Sequence, residues 1–299
     1  MNLRIGTRRS RLAIAQAEEV RALLTAAGVG SELVPMSTAG DEGSDPTDTP
    51  AGLKGLFVDT IIEALEEGEV DVAVHSAKDL PAEDDVGLVI AAVPVRGDPF
   101  DVLLLRSESF PDGGVIGTSS LRRKAQLLRS FPGVHVEDIR GNVDTRLRKL
   151  GEGVVDALVL AAAGLARLGI EPEHGRALSL DQMVPAPGQG ALALQARQDD
   201  DDTLRALTGL DHVPSHVALE AERSLMWRLG GGCSLPLGAY AEVEPDRVLI
   251  TALVASPDGS RAARVDVESD SAEGAASAAT KELLAQGAEE ILAEVTEHA

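Results

Sequence analysis

The chain has a single cysteine, Cys233, among 299 residues. That excludes an internal disulfide and any metal site built from several thiolates. Aromatic residues make up only 2% of the sequence, with one tryptophan and one tyrosine, so its cores must be filled by Ala, Val and Leu. Lysine is scarce, supplying five of the 27 basic residues. Long apolar runs are absent: stretches such as Val154-Val155-Asp156-Ala157-Leu158 are broken by charge, which leaves no candidate for a spanning helix. The Met-Asn-Leu-Arg-Ile start has no apolar secretory region. Excess positive charge is missing as well. Asp and Glu total 49, giving a net charge of −22, a poor surface for nucleic acid, whose phosphates need a basic footprint. The expectation is a soluble cytoplasmic protein with neither a nucleic-acid nor a membrane partner. Acidic runs such as Asp41-Glu42-Gly43-Ser44-Asp45 and Asp199 to Asp202 read as solvated loops. Such self-repulsion suits a salty cytoplasm, where it is screened. Stability unchanged from low to molar KCl would contradict that reading.

Hydrophobic residues reach 44%, enough for packed cores, and the length suits two or three domains. The pattern alternates strand, loop and helix. Leu3 to Gly6, Val70 to Val74, Leu88 to Val93, Val102 to Leu105, Val134 to Ile139 and Val154 to Leu160 read as strands. Leu12 to Leu24, Phe57 to Leu65, Leu121 to Arg129 and Thr145 to Leu150 read as helices, and Thr280 to Val295 as one amphipathic helix with Leu284, Ile291 and Val295 on a face. This alternation predicts α/β domains with largely parallel sheets, which bind ligands beyond the carboxyl ends of their strands.

Those strand ends hold much of the positive charge. Arg8, Arg9 and Arg11 follow the first strand and Lys78 follows Val70 to Val74. Arg122 and Arg123 follow Gly117-Thr118-Ser119-Ser120, Arg140 and Arg146 flank Gly141-Asn142-Val143, and Arg167 lies past Ala161-Ala162-Ala163-Gly164. Lys54 stands in a loop before a helix. Any one of these arginines would serve as a surface ion pair with the surplus acids. As a set at one kind of topological position they point to a ligand with several carboxylates, which arginine forks hold bidentately. Gly6 and Gly117 have a plain reading too, as residues that permit a tight bend.

Two further segments stand out. His75-Ser76-Ala77-Lys78-Asp79-Leu80-Pro81 puts a lysine and an aspartate just past a strand, and Gly230-Gly231-Gly232-Cys233 puts the thiol after three glycines. With Ile5 to Ser10, Lys54 to Phe57, Gly117 to Arg123, Arg140 to Leu147, Ala163 to Gly169 and Pro185 to Ala191, they follow one another in the order seen in a known family. Along nearly its whole length the chain resembles the hydroxymethylbilane synthase (porphobilinogen deaminase) family.

The resemblance implies two domains of the type II periplasmic-binding-protein kind with a cleft between them, 1–94 with 190–209 and 99–184, and a smaller α+β domain, 212–299. It implies a monomeric transferase that polymerises four porphobilinogen molecules, with loss of ammonia, on a dipyrromethane cofactor held as a thioether by Cys233. Asp79 matches the family's catalytic aspartate. Lys78, Ser120, Arg122 and Arg123 are implied cofactor contacts. Arg8, Ser10, Ser76, Thr118, Ser119, Arg140, Arg146 and Arg167 are implied contacts to the acetate and propionate groups of the growing chain. Three positions depart from the family pattern: a shortened lid-like loop, Thr49 to Lys54; Arg11 where proline is common; and Asp144 where glycine is frequent. Two alternatives compete. A non-catalytic carboxylate-binding protein of the two-lobed fold explains the arginines but leaves Cys233 without a role. A cysteine-nucleophile enzyme needs an activating histidine, and none of His75, His135, His174, His212 and His216 lies in a recognised pairing motif.

Overall fold

The computed structural model describes residues 1–37, 58–83, 85–231 and 235–296. Lys54, Phe57, Cys233 and the acidic run 41–45 lie outside them. The first lobe opens with β1 (Asn2–Arg8), α1 (Arg11–Ala26), β2 (Gly30–Met36), α2 (Asp59–Glu66), β3 (Val72–Ser76) and β4 (Leu88–Ala92). Helix α1 starts where the Ser10 side chain accepts from the Ala13 amide, and buries Ala13, Ala17, Val20 and Leu24, the spacing that puts one stripe on a sheet.

The second lobe contains β5 (Asp101–Leu105), β6 (Val115–Gly117), α3 (Leu121–Ser130), β7 (His135–Glu137), α4 (Val143–Gly151), β8 (Ala157–Ala161), α5 (Ala162–Arg167) and β9 (Gly175–Ala177). The chain then returns to the first lobe as β10 (Leu192–Arg197), followed by α6 (Asp201–Thr208). The two sheets have five strands each, in the orders β2-β1-β3-β10-β4 and β7-β6-β8-β5-β9. Each has parallel pairs on one side and antiparallel pairs on the other: β1 runs parallel to β2 and β3, whereas β10 runs antiparallel to β3 and β4. The expectation of largely parallel sheets is therefore corrected. Only the outgoing strands run parallel, and β10, re-entering from the second lobe, must run against them.

A third unit packs α7 (Val213–Arg228), α8 (Ala272–Ala285) and α9 (Ala288–Thr296) on an antiparallel sheet of β11 (Leu237–Glu244), β12 (Arg247–Ala255) and β13 (Ala262–Ser269). Its core is aliphatic, drawn from residues such as Leu225, Ile250, Val254, Ala276 and Leu283. Burial of each large side chain contributes about 1.5–3 kcal/mol. The single closing helix expected from sequence is two helices, because Gly287, at φ +88°, breaks it. The break changes the buried face: Leu283 is buried and Leu284 is 43% exposed. The run Asp199 to Asp202 is likewise not all loop. Asp200 caps α6 by accepting from the Thr203 amide, and Asp201 and Asp202 occupy the first turn, where the helix dipole favours acids.

Candidate active site

Strands β1 and β3 of the first lobe, and β6, β7 and β8 of the second, deliver their carboxyl ends to one cleft. Gly6 and Gly117 are small there for packing, not for bending. A Cβ on Gly6 would meet Val70 Cγ2 at 3.0 Å, and one on Gly117 would meet Ile139 Cγ2 and Leu158 Cδ2 at 3.0 Å.

In the first lobe β3 ends at half-buried Ser76 and passes into a 3₁₀ turn, Ala77–Asp79. The turn leaves the Asp79 carboxylate exposed and folds Lys78 inward. Among the described residues neither side chain has a hydrogen bond or ion pair. Burial pushes the Lys78 ammonium down to about 8, with the Arg123 and Arg122 charges adding and Asp79 and Asp101 opposing. Behind the turn lies Gly188, at φ +73°, where a Cβ would sit 2.9 Å from the Ala77 carbonyl carbon and the Lys78 nitrogen. Its amide donates to Glu222 Oε2 at 2.6 Å. Glu222 is wholly buried, pairs with Arg96 Nη1 at 2.6 Å and accepts from the Ala241 amide at 2.8 Å. A helix of the third unit thus braces the backbone on which the Lys78–Asp79 turn rests.

In the second lobe Ser120 caps α3, accepting from the Arg123 amide at 3.4 Å, and the first turn of α3 sends Arg122 and Arg123 into the interior. Both bind Asp101, which opens β5: Arg122 Nη1 lies 2.8 Å from Oδ2, and Arg123 Nε and Nη2 lie 3.0 and 2.7 Å from Oδ1. Arg122 also donates to the Val184 carbonyl and Arg123 to that of Val159. Burial works to raise Asp101, but Arg122 and Arg123 outweigh it and hold the carboxyl at about 2. The Arg122 Nε remains buried without a partner.

The other expected residues divide into two sets. Arg146 is half-buried on α4, its side chain donates to the Gly141 carbonyl, and its guanidinium is lowered to about 10 by burial and by Arg123, against the pull of Asp79. Arg140 is exposed in the preceding loop, with no ion pair among the described residues. Arg8 stands half-buried at the end of β1. Arg167, by contrast, is held by Glu19 at 2.8 Å and by the Gly190 carbonyl at 3.1 Å. The hydroxyls serve the backbone: Ser10 caps α1, Thr118 accepts from the Ser120 amide, and Ser119 donates to the Ile139 carbonyl. Asp101, Glu222 and Arg96 carry no signal in the sequence. Two are lone acids in an acidic chain and the third a lone arginine after β4, and their importance appears only with their partners.

The cleft therefore gathers Lys78, Arg122, Arg123 and Arg146 against Asp79 and Asp101, a local cationic surplus in a chain of charge −22. This is a two-lobed α/β protein with a cation-rich cleft, in which the exposed Asp79 carboxylate is unpaired among the described residues, and with a third unit. A family model described as porphobilinogen deaminase, dipyromethane cofactor binding domain, matches residues 3–205, and one described as porphobilinogen deaminase, C-terminal domain, matches residues 217–291. The porphobilinogen deaminase of Brevibacillus brevis is 45% identical over 98% of this chain and 97% of its own length. That of Acidithiobacillus ferrooxidans is 44% identical over 98% of each. Among solved structures, lipoprotein Tp32 from Treponema pallidum covers 72% of this chain and 94% of its own at 14% identity, with a TM-score of 0.43. The chain belongs to the porphobilinogen deaminase family, whose members are transferases with a dipyrromethane cofactor. The residues present fit that group: among the described residues the Lys78 ammonium and the Arg146 guanidinium at the cleft have no carboxylate bonded to them, as a carboxylate-bearing ligand requires.

Proposed function

We propose that this chain is a hydroxymethylbilane synthase in which Asp79 is the catalytic carboxylate and the cleft cations hold the pyrrole side chains. The observation that carries the assignment of roles is the unpaired Lys78–Asp79 turn facing Arg123 and Arg146 from the opposite lobe. The dipyrromethane, attached through Cys233, supplies the free pyrrole α-carbon from which the product grows. Four porphobilinogen molecules add in turn. In each addition the aminomethyl C–N bond breaks, ammonia leaves, a C–C bond forms and an α-proton is lost. Positive charge develops on the pyrrole nitrogen of the incoming substrate, and the exposed Asp79 carboxylate stabilises it by accepting from the ring N–H. The same carboxylate takes the α-proton.

Lys78, Arg8, Arg140 and Arg146 bind and orient acetate and propionate groups. Arg122 and Arg123 contribute a positive field and whatever N–H donors Asp101 leaves open. Arg167 becomes available as Glu19 yields to a ligand carboxylate. The Ser10, Ser76, Thr118, Ser119 and Ser120 hydroxyls assist at the helix N-termini. The domain limits 1–94 with 190–209, 99–184 and 212–299 enclose one sheet each. On the same reading the protein works as a cytoplasmic monomer on a small molecule. No described helix is long and apolar enough to cross a membrane.

The test is the intact mass of the purified protein beside that of Cys233→Ser. An excess of two linked pyrroles, present in the first and absent in the second, is expected. No adduct, even after incubation with porphobilinogen, would overturn the reading in favour of a binding protein.

A further inference from the structure

The first and second lobes are joined by two crossings, residues 93–100 and 184–191, an arrangement that permits hinge motion. Away from the hinge, one side chain reaches from lobe to lobe with both its terminal nitrogens. Arg11 Nη1 lies 2.8 Å from Asp144 Oδ1 on α4, and Nη2 donates to the Leu168 carbonyl beyond α5 at 3.3 Å. Among the described residues of its own lobe none pairs with its guanidinium. Arg11 is the first residue of α1, where the positive end of the helix dipole disfavours it, and that turn contains no acid. Its partner, Asp144, lies in the first turn of α4, where an acid is favoured. Further along α1, Glu19 pairs with Arg167 of the second lobe at 2.8 Å. One helix thus presents a cation and then, about 12 Å on, an anion, and the opposite lobe presents the complement. The reversal of sign fixes how the lobes meet.

We propose that Arg11 and Asp144 form an electrostatic clasp between the lobes that biases the cleft toward its closed spacing. The pair is 60% and 43% exposed, so it is weak and screened by salt, as suits a contact that parts and re-forms. On the functional reading above, each added unit brings two more carboxylates to the cations at the α1 and α4 termini. Their accumulating negative charge repels Asp144 and screens its attraction to Arg11, so the clasp yields as the product lengthens. Neither Arg11 nor Asp144 belongs to the proposed catalytic or binding set.

The test is the distance distribution between spin labels on Ala22→Cys and Gly151→Cys in the purified protein. Both positions are exposed, and a Cβ at Gly151 meets nothing within 4 Å. At low ionic strength R11D and D144R should each move the closed-to-open ratio about fivefold toward open, equivalent to about 1 kcal/mol. The charge-swapped double variant R11D/D144R should return it to within about twofold of the wild type. Molar KCl should open the wild type as far as either single variant. Unchanged distributions in the single variants, or a double variant as open as the two effects summed, would overturn the clasp. The readout needs no turnover, and the labelled protein's mass separates the two readings. A third label, on Cys233, counts against a covalent cofactor there, and the clasp is then read in a Cys233→Ser background, which leaves only the two introduced labels.

Discussion

At the same cleft, the arginine pair at the start of α3 in the second lobe and the lysine after β3 in the first are kept in opposite conditions. In the second lobe Arg122 and Arg123 are clamped by Asp101, wholly buried, and by the carbonyls of Val184 and Val159. In the first lobe Lys78 has no carboxylate within bonding reach among the described residues, and burial has lowered its hold on the proton. On the proposed function, part of the cleft's charge is thus stabilised by the fold in advance, and part is left for the ligand to stabilise. On that reading the clamped pair builds the wall, and the lysine gains most when carboxylates arrive. Changes on the two sides should therefore separate, stability suffering in one lobe and chemistry in the other.

The largest effect is expected from Asp101→Asn. Removing the shared carboxylate strands two buried guanidinium groups, and breaking such a pair costs about 3–5 kcal/mol. Urea unfolding should show the loss as a fall in midpoint. An unchanged midpoint would mean that the two arginines do not depend on Asp101. On the other side Asp79→Asn touches an exposed residue with no internal partner, so stability should stay within about 0.5 kcal/mol. Turnover should fall by about 10²-fold or more, about 2.7 kcal/mol of barrier. Loss of stability without loss of rate would reverse the roles assigned to the lobes.

The next effect is a pH dependence. Lys78 is charged below about 8 and neutral above it. Carboxylate binding that depends on Lys78 should weaken above pH 8 by about tenfold per unit, about 1.4 kcal/mol. Lys78→Arg, which keeps its charge, should flatten the fall in a titration of porphobilinogen affinity against pH. The stability of ligand-free protein should run the other way. With the folded value near 8 and the unfolded value near about 10.4, the unfolded state holds more protons across that window, so stability rises as pH rises through it. Opposite slopes for binding and stability are the signature of a buried cation kept for a ligand.

Much of this was legible in the sequence, and the limits have physical causes. Strand ends and cations could be read because Gly6, Ser10, Gly117 and Ser120 mark where strands give way to helices, and charge concentrated there stands out against a background of −22. The antiparallel return of β10 could not, since Leu192–Arg197 has the same apolar pattern whichever way it runs. Nor could the division of the arginines into clamped and unclamped, which depends on Asp101, an acid 21 residues from Arg122 in sequence. The pairing of Arg11 with Asp144, noted separately as two departures from one pattern, spans 133 residues and needs three dimensions to be seen.

The smallest expected effect asks whether the two lobes also use their serines alike. Ser10 and Ser120 each cap the helix behind the cations, accepting from the amides of Ala13 and Arg123. A hydroxyl that accepts at a cap still has its own proton to donate, so each serine can cap and bind at once. Serine to alanine at either site should cost about 1 kcal/mol of stability through the lost cap alone. Serine to glycine separates the two uses, because glycine at an N-cap costs only about a few tenths of a kcal/mol but has no donor to offer the ligand. If glycine keeps stability but leaves porphobilinogen affinity low, the hydroxyl reaches the ligand. If it keeps both, the serine only ends its helix. Opposite answers at Ser10 and Ser120 would show that the lobes, alike in strand order, bind the chain unequally down to their caps.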